Sequence, residues 1–91
     1  MVAFRVVLSG RVQGVGFRAW AERTARSLGL SGWVRNLRDG TVEMVFAGPA
    51  DVVDTMIERC RRGPEHARVE VLERHEEPAL PGSGFQIRQS E

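Results

Sequence analysis

Residues 8–18 of this chain read LSGRVQGVGFR and join two segments of different periodicity. Residues 2–9 alternate in the manner of a β-strand, whereas Phe17–Leu28 carries apolar side chains at helical spacing. A glycine-bearing loop between a strand and a helix exposes backbone N–H groups at the positive end of the helix dipole, and Arg18 adds a permanent charge with a planar fork of donors. The stretch therefore predicts the first strand–helix unit of the fold and a site for a phosphate-like anion.

The remainder of the chain predicts a hairpin, a second helix and two more strands. Asp39-Gly40 is a strong signal for a short hairpin, and Gly63-Pro64 ends the second helix. In chain order the predicted elements are strands at about residues 32–38 and 41–47, a helix from Pro49 with its buried stripe at Val52, Val53, Met56, Ile57 and Cys60, a strand at 68–75 with Val69 and Val71 inward, and a closing strand at 85–88.

This order of elements predicts one α+β domain over residues 1–91. A βαββαβ succession is typical of a ferredoxin-like sandwich, in which two helices cover one face of an antiparallel sheet, here with a short C-terminal strand added. The crossover from the first to the second strand is expected to be right-handed, with the third strand inserted between them. The first two strands then run parallel, so the late residues of the second strand lie beside the loop that follows the first.

The composition narrows the class of protein. With 42% hydrophobic and 27% charged residues the chain is an ordinary globular one, and its net charge of +1 argues against a nucleic-acid partner held by a broad basic surface. All 13 basic residues are arginine, which excludes lysine bases, Schiff bases and the P-loop lysine. The apolar runs are too short to span a membrane and the first residues lack a signal-peptide pattern, so we expect a cytoplasmic protein with no membrane partner.

Few other side chains suggest a catalytic or metal-binding role. Cys60 is the single cysteine, which excludes an intrachain disulfide and a cysteine zinc cage, and its place on the apolar stripe predicts packing in the core. His66 and His75 lack an organised set of acidic partners. We therefore expect no metal and no other cofactor.

The glycine loop fits neither common nucleotide-binding pattern. Residues 14–19 match Gly-x-Gly-x-x-Ala, but a dinucleotide fold needs further strand–helix units, whereas this chain turns into a hairpin. The Gly-Lys-Ser/Thr ending of a P-loop is missing. What remains is a short loop able to wrap one small tetrahedral anion, with a tight turn beside a surface arginine as the alternative.

Asn36 is the second residue that needs an explanation, because asparagine is unfavourable in strands. It either begins the turn toward Asp39-Gly40 or serves a ligand. In the second case its carboxamide would accept a hydrogen bond from a water and donate one to a phosphoryl oxygen. Such an arrangement would hold a nucleophile in line with a bound phosphorus.

Two stretches of the chain resemble the acylphosphatase family. Residues 8–18, with GRVQGVGFR at 10–18, look like its first signature. Residues 32–48, with GWVRN at 32–36 followed by Gly40, Val42 and Gly48, look like its second. The closing FQIR at 85–88 is similar to the family's usual last strand, so the resemblance covers essentially the whole chain.

The resemblance implies a ferredoxin-like fold and hydrolysis of the carboxyl-phosphate bond in small acyl phosphates. It implies that Arg18 binds the phosphoryl oxygens and that Asn36 orients the attacking water, while Gly16 receives no specific role. The implied phosphate-binding positions are the main chain of Gln13, Gly14, Val15, Gly16, Phe17 and Arg18. Many members end in an aromatic residue where this chain has Gln89-Ser90-Glu91, which leaves the packing of the tail undetermined.

These expectations agree with the chemistry of the residues. A carboxylate is a good leaving group, so the remaining task is to neutralise phosphoryl charge and align water, which arginine, amides and asparagine can do. We expect a monomer whose partners are a small acyl phosphate and inorganic phosphate. The alternative function is that of a non-catalytic module that binds carbamoyl phosphate or another anion. Acylphosphatase-like domains of this kind occur inside larger hydrogenase-maturation proteins. An RNA-binding domain is disfavoured, because the aromatic RNP pattern is missing.

Overall fold

Five strands and two helices make up the computed structural model, which describes all 91 residues. They are β1 (Val2–Arg11), α1 (Phe17–Ser27), β2 (Ser31–Asn36), β3 (Val42–Gly48), α2 (Ala50–Cys60), β4 (Arg68–Glu76) and β5 (Phe85–Ile87). The predicted βαββαβ order with a short closing strand is confirmed, and the bounds differ from the predicted ones by a residue or two. Neither helix has the length and hydropathy that a membrane crossing requires.

The strands form one sheet in the order β4-β1-β3-β2-β5. β3 pairs antiparallel with both β1 and β2, so β1 and β2 run parallel on either side of it, as predicted. Their carboxyl ends consequently meet at one edge of the sheet. The sheet is not wholly antiparallel, however, because β5 pairs with β2 in parallel through residues 32–34 and 85–87.

The core lies between this sheet and the two helices. α1 contributes Phe17, Ala21 and Ala25, and α2 contributes Val53, Met56, Ile57 and Cys60. Most of the predicted stripe of α2 is therefore buried, with Val52 half-buried at its border. Cys60 is fully enclosed and its burial raises the pKa of the thiol, which fits the predicted role of this residue in packing.

The edge strand β4 departs from the predicted pattern at Val71. This residue was expected to face inward, but it is 51% exposed. The cause is a bulge: Ser9 pairs with Val71 while Gly10 pairs with Val69, so that β4 has one extra residue between the two pairs. An extra residue reverses the alternation of side chains, and Leu72 is half-buried in place of Val71.

The hairpin between β2 and β3 is longer than Asp39-Gly40 alone predicts. β2 ends at Asn36, and the amide of Leu37 donates to the carbonyl of Thr41 at 2.9 Å, which leaves residues 38–40 to close the turn. The Asp39 carboxylate accepts hydrogen bonds from the hydroxyl and the amide of Thr41 at 2.6 and 3.0 Å, and these bonds lower the pKa of Asp39. Asn36 consequently stands at the last position of its strand.

A charged cluster lies on the sheet face away from the helices. Glu43 is 8% exposed, and its carboxylate accepts from Arg35 Nε at 2.7 Å and from an Arg5 guanidinium nitrogen at 3.4 Å. Arg35 also stacks on the ring of Trp33 at 5.0 Å. Because strand side chains alternate, these contacts hold β2 from one face and leave Asn36 on the helix-facing side.

Candidate functional site

A cleft of about 320 Å³ opens where the β1–α1 loop meets the ends of β2 and β5. Three segments that are distant in the chain converge there, as the parallel arrangement of β1 and β2 predicts. The lining residues are Val12, Gln13, Gly14, Gly16, Phe17, Arg18, Ala19, Asn36 and Ile87. Arg18 and Asn36, the two side chains singled out from the sequence, therefore share one cleft.

The β1–α1 loop presents its main chain to this cleft. Gly14 and Gly16 have φ angles of 74° and 79°, left-handed values that glycine adopts without a Cβ clash, and Gly16 is the N-cap of α1. The amides of residues 12–16 donate no hydrogen bond within the protein, and the first bond of the helix runs from the amide of Trp20 to the carbonyl of Gly16 at 3.0 Å. No acidic side chain occupies the first turn. The positive end of α1 therefore keeps its N–H donors for an anion.

Arg18 lies in the first turn of α1 and lines the same cleft as these amides. It is half-buried and takes part in no ion pair and no hydrogen bond within the protein. It is also the only ionisable side chain that lines the cleft. An unpaired guanidinium next to unpaired amides makes this end of the cleft strongly attractive to an anion.

Asn36 reaches the same cleft from the end of β2. Its backbone carbonyl accepts a hydrogen bond from the amide of Glu91 at 2.9 Å, whereas its carboxamide bonds to no other residue. The side chain is half-buried, and no polar side-chain atom in the protein is both buried and unpaired. The carboxamide can therefore serve a water or a ligand with both its donor and its acceptor.

Gln13 does more than the sequence predicted. Only its main chain was expected to matter, but its side chain also bridges the loop to the β2–β3 hairpin. Its Nε2 donates to the carbonyl of Leu37 and to that of Thr41, each at 2.8 Å. No sequence signal could have indicated this, because both acceptors are main-chain atoms that every residue possesses.

Two other residues of the predicted loop pack into the interior of the protein. Val15, one of the predicted binding positions, packs its side chain against the core and is not among the residues that line the cleft. Phe17 is 2% exposed and packs edge-on against Trp20 with 5.3 Å between ring centroids. Ile87, for which the sequence predicted no role in the site, joins the lining because it pairs with Val34, two residues before Asn36.

The groups that could titrate or ligate a metal lie elsewhere. His66 and His75 are exposed and do not line the cleft, and Cys60 is in the core. No three histidine, cysteine, aspartate or glutamate side chains are grouped as a set of ligands. The chemistry available in the cleft is thus that of a guanidinium, main-chain amides and one carboxamide.

The fold and the cleft together define an α+β protein of ferredoxin-like topology with an anion site at its first strand–helix loop. The sequence profile of the acylphosphatase family matches residues 4–87, and the chain belongs to this family. An acylphosphatase of Nitrobacter hamburgensis is 52% identical over 90 residues, which cover 99% of this chain and 89% of that protein. The family expected from the sequence is thereby confirmed, and so is the expected class of enzyme.

Solved structures agree with this assignment. The acylphosphatase of Bacillus subtilis superposes with a TM-score of 0.91 at 35% identity, covering 97% of this chain and 99% of that one. The T. kodakarensis HypF structure superposes with a TM-score of 0.87 at 32% identity over 100% of this chain, which corresponds to 12% of HypF. The expected ferredoxin-like fold is confirmed by these superpositions.

Proposed function

We propose that this chain hydrolyses the carboxyl-phosphate bond of small acyl phosphates to give a carboxylate and inorganic phosphate. The observation that carries the proposal is the convergence of Arg18, the unpaired loop amides and the carboxamide of Asn36 on one cleft. These are the groups that the reaction needs, since it requires charge neutralisation on the phosphoryl oxygens and an aligned water. Membership of the acylphosphatase family supports the same reaction.

Arg18 and the loop amides bind the phosphoryl group in this mechanism. The guanidinium donates two parallel hydrogen bonds to phosphoryl oxygens, and the amides of residues 13–18 donate to the same oxygens from the positive end of α1. Hydrogen bonds to charged groups contribute about 1.5–3 kcal/mol each, so several together suffice to hold the substrate. The donors are in place before the reaction begins, so they stabilise the charge spread over the phosphoryl oxygens in the transition state without having to reorganise.

Asn36 aligns the nucleophile. Its carbonyl oxygen accepts a hydrogen bond from water while its amide group donates to a phosphoryl oxygen, which sets the water in line with the bond to be broken. The oxygen of water forms a bond to phosphorus, and the bond between phosphorus and the carboxyl oxygen breaks with its electron pair leaving on the carboxylate. Neither Arg18 nor Asn36 accepts a proton near neutral pH, so a phosphoryl oxygen of the substrate takes the proton of the water.

The proposed enzyme needs no metal or other cofactor and works as a monomer. The guanidinium and the amides provide the positive charge that a metal ion supplies in many phosphoryl-transfer sites. Hydrolysis measured in the presence of EDTA tests the first part of this proposal, and sedimentation equilibrium of the active enzyme tests the second.

A second candidate function is binding of carbamoyl phosphate or another anion without turnover. It is retained because the chain also resembles a part of the T. kodakarensis HypF structure that makes up 12% of that protein. The N. hamburgensis acylphosphatase, by contrast, is matched over 89% of its length. Both candidates use the same anion site, so turnover decides between them.

The deciding experiment is a timed hydrolysis of acetyl phosphate with EDTA present. The wild-type protein is expected to release phosphate, and Arg18→Ala to lose about 10²- to 10³-fold in activity, the usual cost of removing one transition-state donor. Arg18→Lys is also expected to be severely impaired, because an ammonium lacks the planar fork. Arg23→Ala is the matched control, since Arg23 is exposed on the same helix and makes no ion pair.

Near-normal hydrolysis by Arg18→Ala or Arg18→Lys would contradict the proposed role of the guanidinium. Binding of acetyl phosphate without any release of phosphate by the wild type would instead favour the second candidate. Circular dichroism of each variant shows whether the fold is retained, so that a loss of activity is attributed to the site.

A further inference from the structure

The site has two halves, the β1–α1 loop (residues 12–16) and the β2–β3 hairpin that carries Asn36. Gln13 makes the only side-chain hydrogen bonds between them. Strand pairing between β1 and β3 ends at Leu8 and Val42, so the loop of residues 12–16 leaves the sheet before it reaches the hairpin. The two bonds from Gln13 Nε2 to the carbonyls of Leu37 and Thr41 are the hydrogen bonds that reconnect them. Both are 2.8 Å long, and they span 24 and 28 residues of sequence.

The acceptors of these bonds lie next to Asn36. Leu37 is its neighbour in the chain, and Thr41 stands across the hairpin, where its carbonyl also accepts from the amide of Leu37. Residues 38–40 beyond them are exposed, so the tip of the hairpin has no packing of its own. The bonds from Gln13 therefore attach to the segment that directly follows Asn36.

The main chain and the side chain of Gln13 have different roles. Gln13 lines the cleft, and its main-chain amide has no partner in the protein, while its carboxamide donates to the hairpin. One residue thus belongs to the anion-binding loop and also holds the segment that carries Asn36. A change in this bridge alters the distance between the two halves without removing a group that contacts substrate.

We propose that Gln13 is a positioning residue, which sets the distance between the phosphoryl-binding loop and the Asn36 carboxamide and acts on turnover through Asn36. This inference depends on the proposed hydrolysis of acyl phosphates. Alignment of a nucleophile is sensitive to shifts of an ångström, which can cost up to about 10²-fold in rate. Binding of the phosphoryl group depends on the loop and Arg18 and is expected to change little.

The experiment is a double-mutant cycle between Gln13→Leu and Asn36→Ala with acetyl phosphate as substrate. Gln13→Leu keeps the approximate volume of the side chain and removes the donor, and kcat is expected to fall about ten-fold. Gln13→Glu places an acceptor against two carbonyls, so its kcat is expected to fall further. In the Asn36→Ala background the same Gln13 substitutions are expected to leave kcat unchanged, because the group that they misplace is gone.

Two controls separate this role from a general loss of structure. Gln86→Leu makes the same chemical change at an exposed residue of β5 outside the cleft, and its kcat is expected to equal that of the wild type. The inhibition constant of inorganic phosphate is expected to be the same for Gln13→Leu and the wild type. Thermal unfolding of every variant sets an assay temperature at which all of them are folded.

Each remaining outcome contradicts the inference. An unchanged kcat in Gln13→Leu would show that the bridge does not position Asn36. An equal loss of kcat with and without Asn36, or weaker phosphate inhibition in Gln13→Leu, would mean that Gln13 acts on the loop instead. Absence of hydrolysis by the wild type would overturn the proposed function itself, whereas normal hydrolysis with additive effects would overturn this inference alone.

Discussion

Arg18 and Asn36 are polar side chains that the protein leaves without partners at the same cleft. Polar side chains that line a cleft without a partner in the protein are free to bind a ligand or a water. The two side chains have different capacities. Arg18 offers only donors and a permanent charge, whereas Asn36 offers a neutral donor and a neutral acceptor. Charge neutralisation and water alignment therefore belong to different residues, which makes them separable by mutation.

Asn36→Ala is expected to lower kcat by about 10²-fold while KM changes only slightly. The carboxamide aligns water mainly in the transition state, so its loss affects the rate rather than binding of the ground state. Asn36→Asp provides a contrast, because the side chain keeps nearly the same size but becomes negatively charged. The charge repels the phosphoryl group, so KM is expected to rise as well. Steady-state kinetics on acetyl phosphate measure both constants. A rise in KM with an unchanged kcat in Asn36→Ala would make Asn36 a binding residue instead.

At this scale the sequence predicted side chains better than it predicted their partners. Arg18 and Asn36 were predicted as site residues because their chemistry is unusual at those positions, and both line one cleft. The bridge made by Gln13 could not, since its acceptors are the carbonyls of Leu37 and Thr41. The inward packing of Val15 was likewise undetermined, because direction within an irregular loop follows no period.

The secondary-structure elements explain why the two halves of the site meet. β1 and β2 run parallel on either side of β3, so their carboxyl ends lie at one edge. This convergence was predictable from element order, because right-handed crossovers restrict the possible topologies. The bulge in β4 could not be predicted from the sequence. Val69 and Val71 alternate as they would in a regular strand, and nothing marks the residue between them as the extra one.

Glu43→Gln tests the cluster that holds β2 and β3 on the face away from the helices. The substitution keeps the shape of the side chain but removes a charge that is 8% exposed and paired with two arginines. Since Arg35 and Arg5 retain 26% and 37% of their side-chain exposure, solvent weakens the effect, and the expected loss is about 1–2 kcal/mol of unfolding free energy. This corresponds to a fall in Tm of about 5–10 °C for a domain of this size.

The matched control for this prediction is Glu58→Gln. Glu58 pairs with Arg61 at 2.7 Å, but its side chain is 67% exposed. Surface pairs of this kind contribute about 0–1 kcal/mol, so its Tm is expected to remain close to that of the wild type. Equal shifts in the two variants, measured by thermal unfolding at the same pH, would show that burial of Glu43 does not strengthen its ion pairs.

The histidines, the cysteine and Asp39 all lie outside the cleft. The two histidines are exposed, and the one thiol is buried with a raised pKa. Asp39 is held by Thr41, which lowers the pKa of its carboxyl below 3.8. Its contribution to the stability of the hairpin is therefore complete above that value and is lost only as the pH falls through the lower folded pKa. Above this acid range the hairpin that carries Asn36 keeps its bonds.

The proposed mechanism therefore predicts that no group of the enzyme controls turnover between about pH 5 and 8, the range in which histidine titrates. The His66→Asn and His75→Asn double variant is expected to show the same kcat as the wild type at each pH. The substrate's own phosphate does titrate, but its ionisation affects both proteins equally and cancels in the ratio of their rates. Stopped assays with acetyl phosphate across this range measure that ratio. A ratio that changes steeply with pH would assign proton transfer to a histidine and contradict a substrate oxygen as the acceptor of the proton from water.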